Sequence, residues 1–312
     1  MTDTFHPERL RASLRSLSDA PPLCEQGRAY QRFYGLDLPD CQVPFETRLG
    51  RFEAEGFELV CQAWLPRQPR GTLVLLHGFY DHMGLFRHVI GWALRCGLAV
   101  VACDLPGHGL SSGPRASIQD FAHYQSTLDG LFAQAASMGL PRPWHLLGQS
   151  TGGAIIIDHA LHSGSASPVD GHLMLLAPLV RPRAWGWSRL SYRVLSPFVD
   201  GVARRFSENS SDPAFLPFLQ ADPLQPLRLP TAWVGALVNW VNRIEAAPAS
   251  LRTPLIVQGE QDMTVDWRHN LRVLDAKFKQ PQVLRLPLAR HHLANEAEHI
   301  RELYLPFLEK HL

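Results

Sequence analysis

The sequence is short of charge. Only 19% of its 312 residues are Asp, Glu, Lys or Arg, against roughly 25% in ordinary soluble domains. Its 30 basic and 29 acidic side chains leave a formal net charge of +1, so no electrostatic excess points to nucleic acid as a partner. Hydrophobic residues make up 46%, which excludes the disorder that comes from low hydrophobicity and high charge. Long apolar runs are missing too. The longest stretch without a charged residue, 143–157, contains His, Gln, Ser, Thr and three glycines. A membrane-spanning helix needs about 20 mostly apolar residues.

Cysteine is equally scarce. Cys24, Cys41, Cys61, Cys96 and Cys103 are odd in number, all lie in the first third and form no CxxC pair. That pattern fits reduced thiols of a cytoplasmic protein better than a disulfide framework. The opening MTDTFHPERLRASLRSL is polar and charged, unlike a secretory signal. The 15 histidines are scattered without ligand spacing, so no metal is expected. What the chain has in surplus is Trp (8) and Pro (25).

After a polar leader (1–45), residues 46–65 alternate in character around Glu55-Gly56, which predicts a two-stranded antiparallel hairpin. Short apolar runs follow at 72–77, 98–103, 144–147, 172–177, 254–258 and 282–286. Near-continuous runs of this kind fit parallel strands covered on both faces. Helix-like stretches near 86–95, 118–138, 151–162, 266–278 and 295–311 separate them. The alternation predicts an α/β fold with a mostly parallel, doubly wound sheet. Residues 180–245 break the rhythm, with aromatic-rich helical stretches at 184–206 and 231–244 around a Pro-rich connection. Such an interval is too long for a plain loop and is read as a helical cap inserted between core segments 46–179 and 246–312.

The pattern G-x-S-x-G occurs twice. Around Ser150 it follows the run WHLL and opens the helix-like GGAIIIDHALH. A serine there sits on a sharp strand-to-helix turn, its hydroxyl exposed above a helix N-terminus. The match at Ser111 is followed by Pro114 and Arg115 with no helix opening, so Ser111 is read as a loop residue. A serine hydroxyl needs a base to take its proton and an acid to orient that base. On a strand–turn–helix scaffold these follow in the order Ser, acid, His. Asp262 comes just after the run PLIVQ, whereas Asp266 looks like the N-cap of the next helix. His291 and His292 follow the final strand, and either residue satisfies the order. The backbone amides of Thr151, after the nucleophile, and Phe79, in the loop after LLHG, are the expected oxyanion donors.

Several segments together resemble the monoacylglycerol lipase and lysophospholipase branch of the α/β-hydrolases. They are LLHGFYDHMGLFR (75–87, with a histidine at His82), DLPGHGLSSGPR (104–115), GQSTGG (148–153), QGEQDMTVD (258–266) and LARHHLANE (288–296). The likeness spans about residues 45–312, although the cap matches mainly through Asp222-Pro223-Leu224. It selects His291 over His292 as the base and places Glu296 at the family's acidic position, while Leu288 replaces a family glycine. The resemblance implies hydrolysis of small-molecule acyl esters, often of single-chain lipids, without a cofactor. His82 and the cap aromatics Trp185, Trp187, Phe198, Trp233 and Trp240 are the expected substrate-binding residues. Six arginines against one aspartate over 181–205 raise contact with an anionic lipid surface, with a solvated face as the plainer reading.

Other readings stay open. An aminopeptidase of the same superfamily would want acidic cap residues for a free amine, and Glu208, Asp212, Asp222 and Glu245 are available. A thioesterase or C–C bond hydrolase would share the same core. A catalytically silent binding module would be expected to lack one of Ser150, Asp262 and His291.

Overall fold

The apolar runs become strands because both of their faces are covered, and successive residues along each run enter different cores. The computed structural model describes residues 5–312, so the first four residues of the expected leader lie outside it. The strands are β1 (Phe45–Ala54), β2 (Phe57–Pro66), β3 (Gly71–Leu76), β4 (Leu98–Cys103), β5 (Trp144–Gln149), β6 (Leu173–Leu176), β7 (Gly201–Ala203), β8 (Arg228–Pro230), β9 (Leu255–Gly259) and β10 (Gln282–Leu286). Eight of them make one sheet in the order β1-β2-β4-β3-β5-β6-β9-β10, while β7 and β8 pair separately. β1 and β2 form the expected hairpin around Glu55-Gly56, β2 runs antiparallel to β4, and the remaining pairs are parallel.

The helices are α1 (Pro7–Ser13), α2 (Glu25–Tyr34), α3 (Arg87–Arg95), α4 (Ala122–Ser137), α5 (Thr151–His162), α6 (Trp185–Leu195), α7 (Phe215–Ala221), α8 (Thr231–Ala246), α9 (Trp267–Lys277) and α10 (Glu298–Glu309). α4, α5, α8 and α9 contribute to a core on one face, where Val74, Leu76, Val101, Leu146 and Ile256 meet them. α1, α2, α3, α7 and α10 contribute to the other, with Leu73, Leu75, Val100, Leu147 and Val257. The neighbours Leu73 and Val74, or Leu146 and Leu147, thus enter opposite cores, as the two-residue period of a strand requires.

The leader is more than a polar approach to the sheet. Phe5, Leu10, Tyr30 and Tyr34 are all buried, and Phe5 packs edge-on against Tyr30 with centroids 5.3 Å apart. In the interval between β6 and β9, the helix expected over 184–206 ends at Leu195, just before Pro197, which lacks the N–H needed to continue the ladder. The chain then returns through the β7–β8 pair before α8.

The topology positions the functional loops. From β3 the chain passes to β4 on one side, and β5 then lies on the other. The loops leaving β3 and β5 are therefore neighbours at a topological switch point, where open α/β sheets form their ligand crevices.

Candidate active site

Ser150 stands between β5 and α5 with φ 52° and ψ −111°, a conformation that costs a non-glycine residue of order 1–3 kcal/mol. Its surroundings enforce that turn. A Cβ on Gly148 would lie 2.4 Å from the Gly152 backbone, and one on Gly152 would lie 2.2 Å from the Leu76 carbonyl oxygen. Only glycine permits α5 to close onto β3 and β5 this tightly. The Ser150 amide donates to Leu176 O at 2.9 Å, anchoring the turn to β6. Ser111 is placed differently. It is buried, its hydroxyl donates to Asp104 O at 2.6 Å and accepts from Val60 N at 2.9 Å, and it ties a loop to β2.

Asp262 follows β9 and is closely held. Its Oδ1 accepts from Thr264 N at 2.8 Å and Val265 N at 3.0 Å, and its Oδ2 accepts from Gln258 Nε2 at 3.2 Å. His291 Nδ1 lies 2.6 Å from the same Oδ2. That contact occupies one ring nitrogen and leaves Nε2 for chemistry. Burial alone would favour neutral imidazole, but the Asp262 charge and hydrogen bond outweigh it and raise the pKa of His291 above its ordinary value. Burial likewise opposes ionisation of Asp262, yet His291 and the backbone donors hold its carboxyl below the usual range. Asp266, by contrast, caps α9 by accepting from His269 N at 3.2 Å.

The loop carrying His291 is pinned at both ends. Glu296, fully buried, accepts from Arg290 N at 2.5 Å and Ser211 N at 2.7 Å, joining this loop to the segment after β7. Gln149 Oε1 accepts from Ala294 N at 2.9 Å, so the residue before Ser150 also holds the His291 loop. Leu288 stands exposed. His292 takes another direction: its Nε2 lies 3.1 Å from Asp81 Oδ2, without the alignment of a hydrogen bond. His291 alone of the two engages Asp262.

Ser150 and His291 line one cavity of about 290 Å³ with Phe79, Thr151 and Trp233. Among the described residues, neither the Phe79 nor the Thr151 amide finds an acceptor, leaving both free for an oxyanion. The Phe79 ring stacks on Trp233 of α8 with centroids 3.7 Å apart, and Trp233 Nε1 donates to Tyr124 OH at 3.1 Å.

The other expected substrate-binding residues lie elsewhere. His82 is fully buried, its Nε2 2.8 Å from Asp222 Oδ2, and does not line the cavity. Tyr34 OH donates to Asp222 Oδ1 at 2.6 Å, so Asp222 knits α2, the loop after β3 and the segment after α7 together. Trp240 Nε1 donates to Asp158 Oδ2 at 3.0 Å and its ring stacks on Phe121, so it packs α8 onto α5. Trp185 is buried in the same core. Trp187 and Phe198 are 71% and 82% exposed. An aromatic residue in a helical segment announces burial or binding but does not say which surface it meets.

Sequence reasoning missed the charged lining. Asp81, Arg204 and Arg205 all border the cavity, with Tyr80 beside them. Asp81 was within reach, standing two residues after Phe79. Burial would raise its pKa, but His292, helped by His77 and Arg204, lowers it to about 2. Among the described residues no group of His, Cys, Asp and Glu is arranged to hold a metal, and no helix is long and apolar enough to cross a membrane.

Comparison with known proteins places this geometry in context. The family model described as serine aminopeptidase, S33, matches residues 67–298, well over half of the chain. The chain is 28% identical over 262 residues to a monoacylglycerol lipase of Mycolicibacterium smegmatis, covering 78% of this chain and 89% of that protein. It is 26% identical over 271 residues to human monoglyceride lipase, covering 81% and 86%. In structure it resembles a soluble variant of the Saccharomyces cerevisiae monoglyceride lipase solved with a substrate analogue. The TM-score is 0.73 at 18% identity, covering 86% of this chain and 96% of that one, a likeness of fold.

Proposed function

The chain belongs to the serine aminopeptidase, S33, family of α/β-hydrolases, and from that premise we propose that it hydrolyses monoacyl esters through an acyl-enzyme on Ser150. One observation carries the reading. The Asp262–His291 hydrogen bond of 2.6 Å ends in the cavity into which the strained Ser150 turn projects. Ser150 Oγ attacks the ester carbonyl while His291 Nε2 takes its proton, with Asp262 fixing the tautomer and balancing the imidazolium. The Phe79 and Thr151 amides, with the N-terminal dipole of α5, stabilise the oxyanion. The alcohol leaves with the proton from His291. Water, activated by the same imidazole, then releases the fatty acid. No cofactor enters this sequence.

The aminopeptidase reading loses its cap acids. Asp222 is committed to Tyr34 and His82, Glu245 to Arg181 and His269, and Glu208 to Arg290. None of these, nor Asp212, lines the cavity. The relatives named as monoacylglycerol and monoglyceride lipases favour an ester with one acyl chain. Purified enzyme on a panel of monoacylglycerols, lysophospholipids, p-nitrophenyl esters and aminoacyl arylamides should turn over the esters. Turnover of a proline arylamide alone would overturn the assignment.

Residues 180–245 act as the cap of this site, and we assign α6 a role at lipid surfaces. Trp187, Leu190 and Val194 recur along one side of the helix, Phe198 follows it, and all are exposed. Arg189 and Arg193 lie on the same helix. An apolar stripe beside arginines suits the boundary of an anionic bilayer, where the ester substrate resides.

A further inference from the structure

The cavity around Ser150 has a mixed lining. Phe79, Leu219, Leu229 and Trp233 are apolar and suit an acyl chain, while Arg204 and Arg205 bring positive charge and Asp81 a carboxylate. Arg204 is built into place. Its Cζ lies 4.1 Å from the Tyr80 ring centroid and 4.3 Å from that of Phe206. Its Nη1 donates to Gln225 Oε1 at 2.7 Å and to Pro226 O at 3.1 Å. The β7–β8 pairing extends to its backbone, whose amide donates to Leu227 O at 2.9 Å.

None of these partners is an anion. Among the described residues no carboxylate forms an ion pair with Arg204 or Arg205. The carboxylates whose charge reaches Arg204 are Asp81 and Asp222. Asp81 faces His292 at 3.1 Å and Asp222 faces His82 at 2.8 Å. A half-buried guanidinium with no carboxylate in direct contact carries a desolvation cost. The two rings offset part of it, and an arriving anion would offset more. With its Cζ against two aromatic rings and only Nη1 occupied, Arg204 keeps further N–H donors for a multidentate oxyanion.

We propose that Arg204, assisted by Arg205, forms an anion-binding subsite that selects monoacyl esters whose alcohol carries a phosphate over esters of neutral alcohols. The assignment rests on the ester-hydrolase reading above. With the apolar lining residues suited to the acyl chain, Arg204 and Arg205 are the lining groups suited to an anionic alcohol. Tyr80, which stacks on Arg204, directly follows the oxyanion-loop residue Phe79, so the subsite adjoins the reacting carbonyl.

The test compares 1-octanoylglycerol with 1-octanoylglycerol 3-phosphate, both kept below micelle formation so that surface binding plays no part. The readout is the ratio of kcat/KM for the phosphate ester to that for the neutral one. Wild type should favour the phosphate ester, and Arg204→Met should lower the ratio about tenfold or more. Arg205→Met, at an exposed position that tolerates change, should lower it about threefold. Inorganic phosphate should inhibit wild type competitively and Arg204→Met more weakly. A wild-type ratio at or below one, or a ratio unchanged in the folded variants, overturns the subsite while leaving the esterase reading intact. Failure of wild type on both esters and on p-nitrophenyl octanoate overturns that reading itself.

Discussion

The strand ends that border the cavity and the interval between β6 and β9, proposed as its cap, are built by different means. On the floor, strand ends hold each reacting group through several buried hydrogen bonds: four contacts to Asp262, and the Glu296 and Gln149 clamps on the His291 loop. In the cap, one helix, α8, is packed into the core through Trp233 and Trp240, whereas α6 leaves Trp187, Leu190 and Val194 in solvent. The difference teaches where chemistry and selectivity reside. On the proposed reading, rigid floor geometry supports the reaction and the cap contacts choose what enters.

The largest effects should come from the floor. Ser150→Ala or His291→Ala should lower kcat/KM for a p-nitrophenyl ester by roughly four to six orders of magnitude. His292→Ala, which removes the partner of Asp81 and a ring packed on Phe215 but no contact to Asp262, should cost about tenfold to a hundredfold. Comparable losses at the two histidines would break the assignment of the base. Asp262→Asn should cost roughly 10⁴-fold and adds a pH signature. The folded-state pKa of His291 is raised, so its protonated, non-basic form persists to higher pH. Activity should therefore fall as pH drops through a value above the ordinary imidazole value of about 6.5, and in Asp262→Asn that limb should move to lower pH. A limb that does not move would show that Asp262 leaves the imidazole unperturbed.

Within the cap, two tryptophans on one helix sharpen the contrast. Trp240→Ala empties a buried site and should lower unfolding free energy by about 3–5 kcal/mol, measured by denaturant titration, with little change in KM at 25 °C. Trp233→Ala removes the ring stacked on Phe79 and should lower kcat/KM about tenfold. The smallest effect in solution belongs to α6. Trp187→Ser combined with Phe198→Ser should leave turnover of soluble esters within about twofold while weakening sedimentation with anionic vesicles. Unchanged vesicle binding would remove α6 from the lipid surface.

The same division governs what could be read from sequence. The sheet was legible because strands covered on both faces must be apolar throughout, and Leu98–Cys103 or Leu255–Gly259 stand out from their surroundings for that reason. The placement of Ser150, Asp262 and His291 just beyond strand ends was legible because each follows an apolar run, in an order the fold imposes. The cap aromatics were not, since Trp185, Trp187, Trp233 and Trp240 look alike in sequence yet face the core, solvent, the cavity and the core respectively. The resemblance puts His82 at substrate, whereas its partner is Asp222, 140 residues away in sequence. Arg204 read as one more surface charge because the Tyr80 ring that holds it comes from the loop after β3.

The central claim is that Ser150 is the nucleophile that carries the acyl group. Labelling with a fluorophosphonate, followed by intact-mass measurement and peptide mapping, tests it most directly. The wild type should gain one adduct on the peptide containing Ser150, Ser150→Ala should gain none, and Ser111→Ala should label as wild type if it folds. An adduct on Ser111, or equal labelling of wild type and Ser150→Ala, would contradict it.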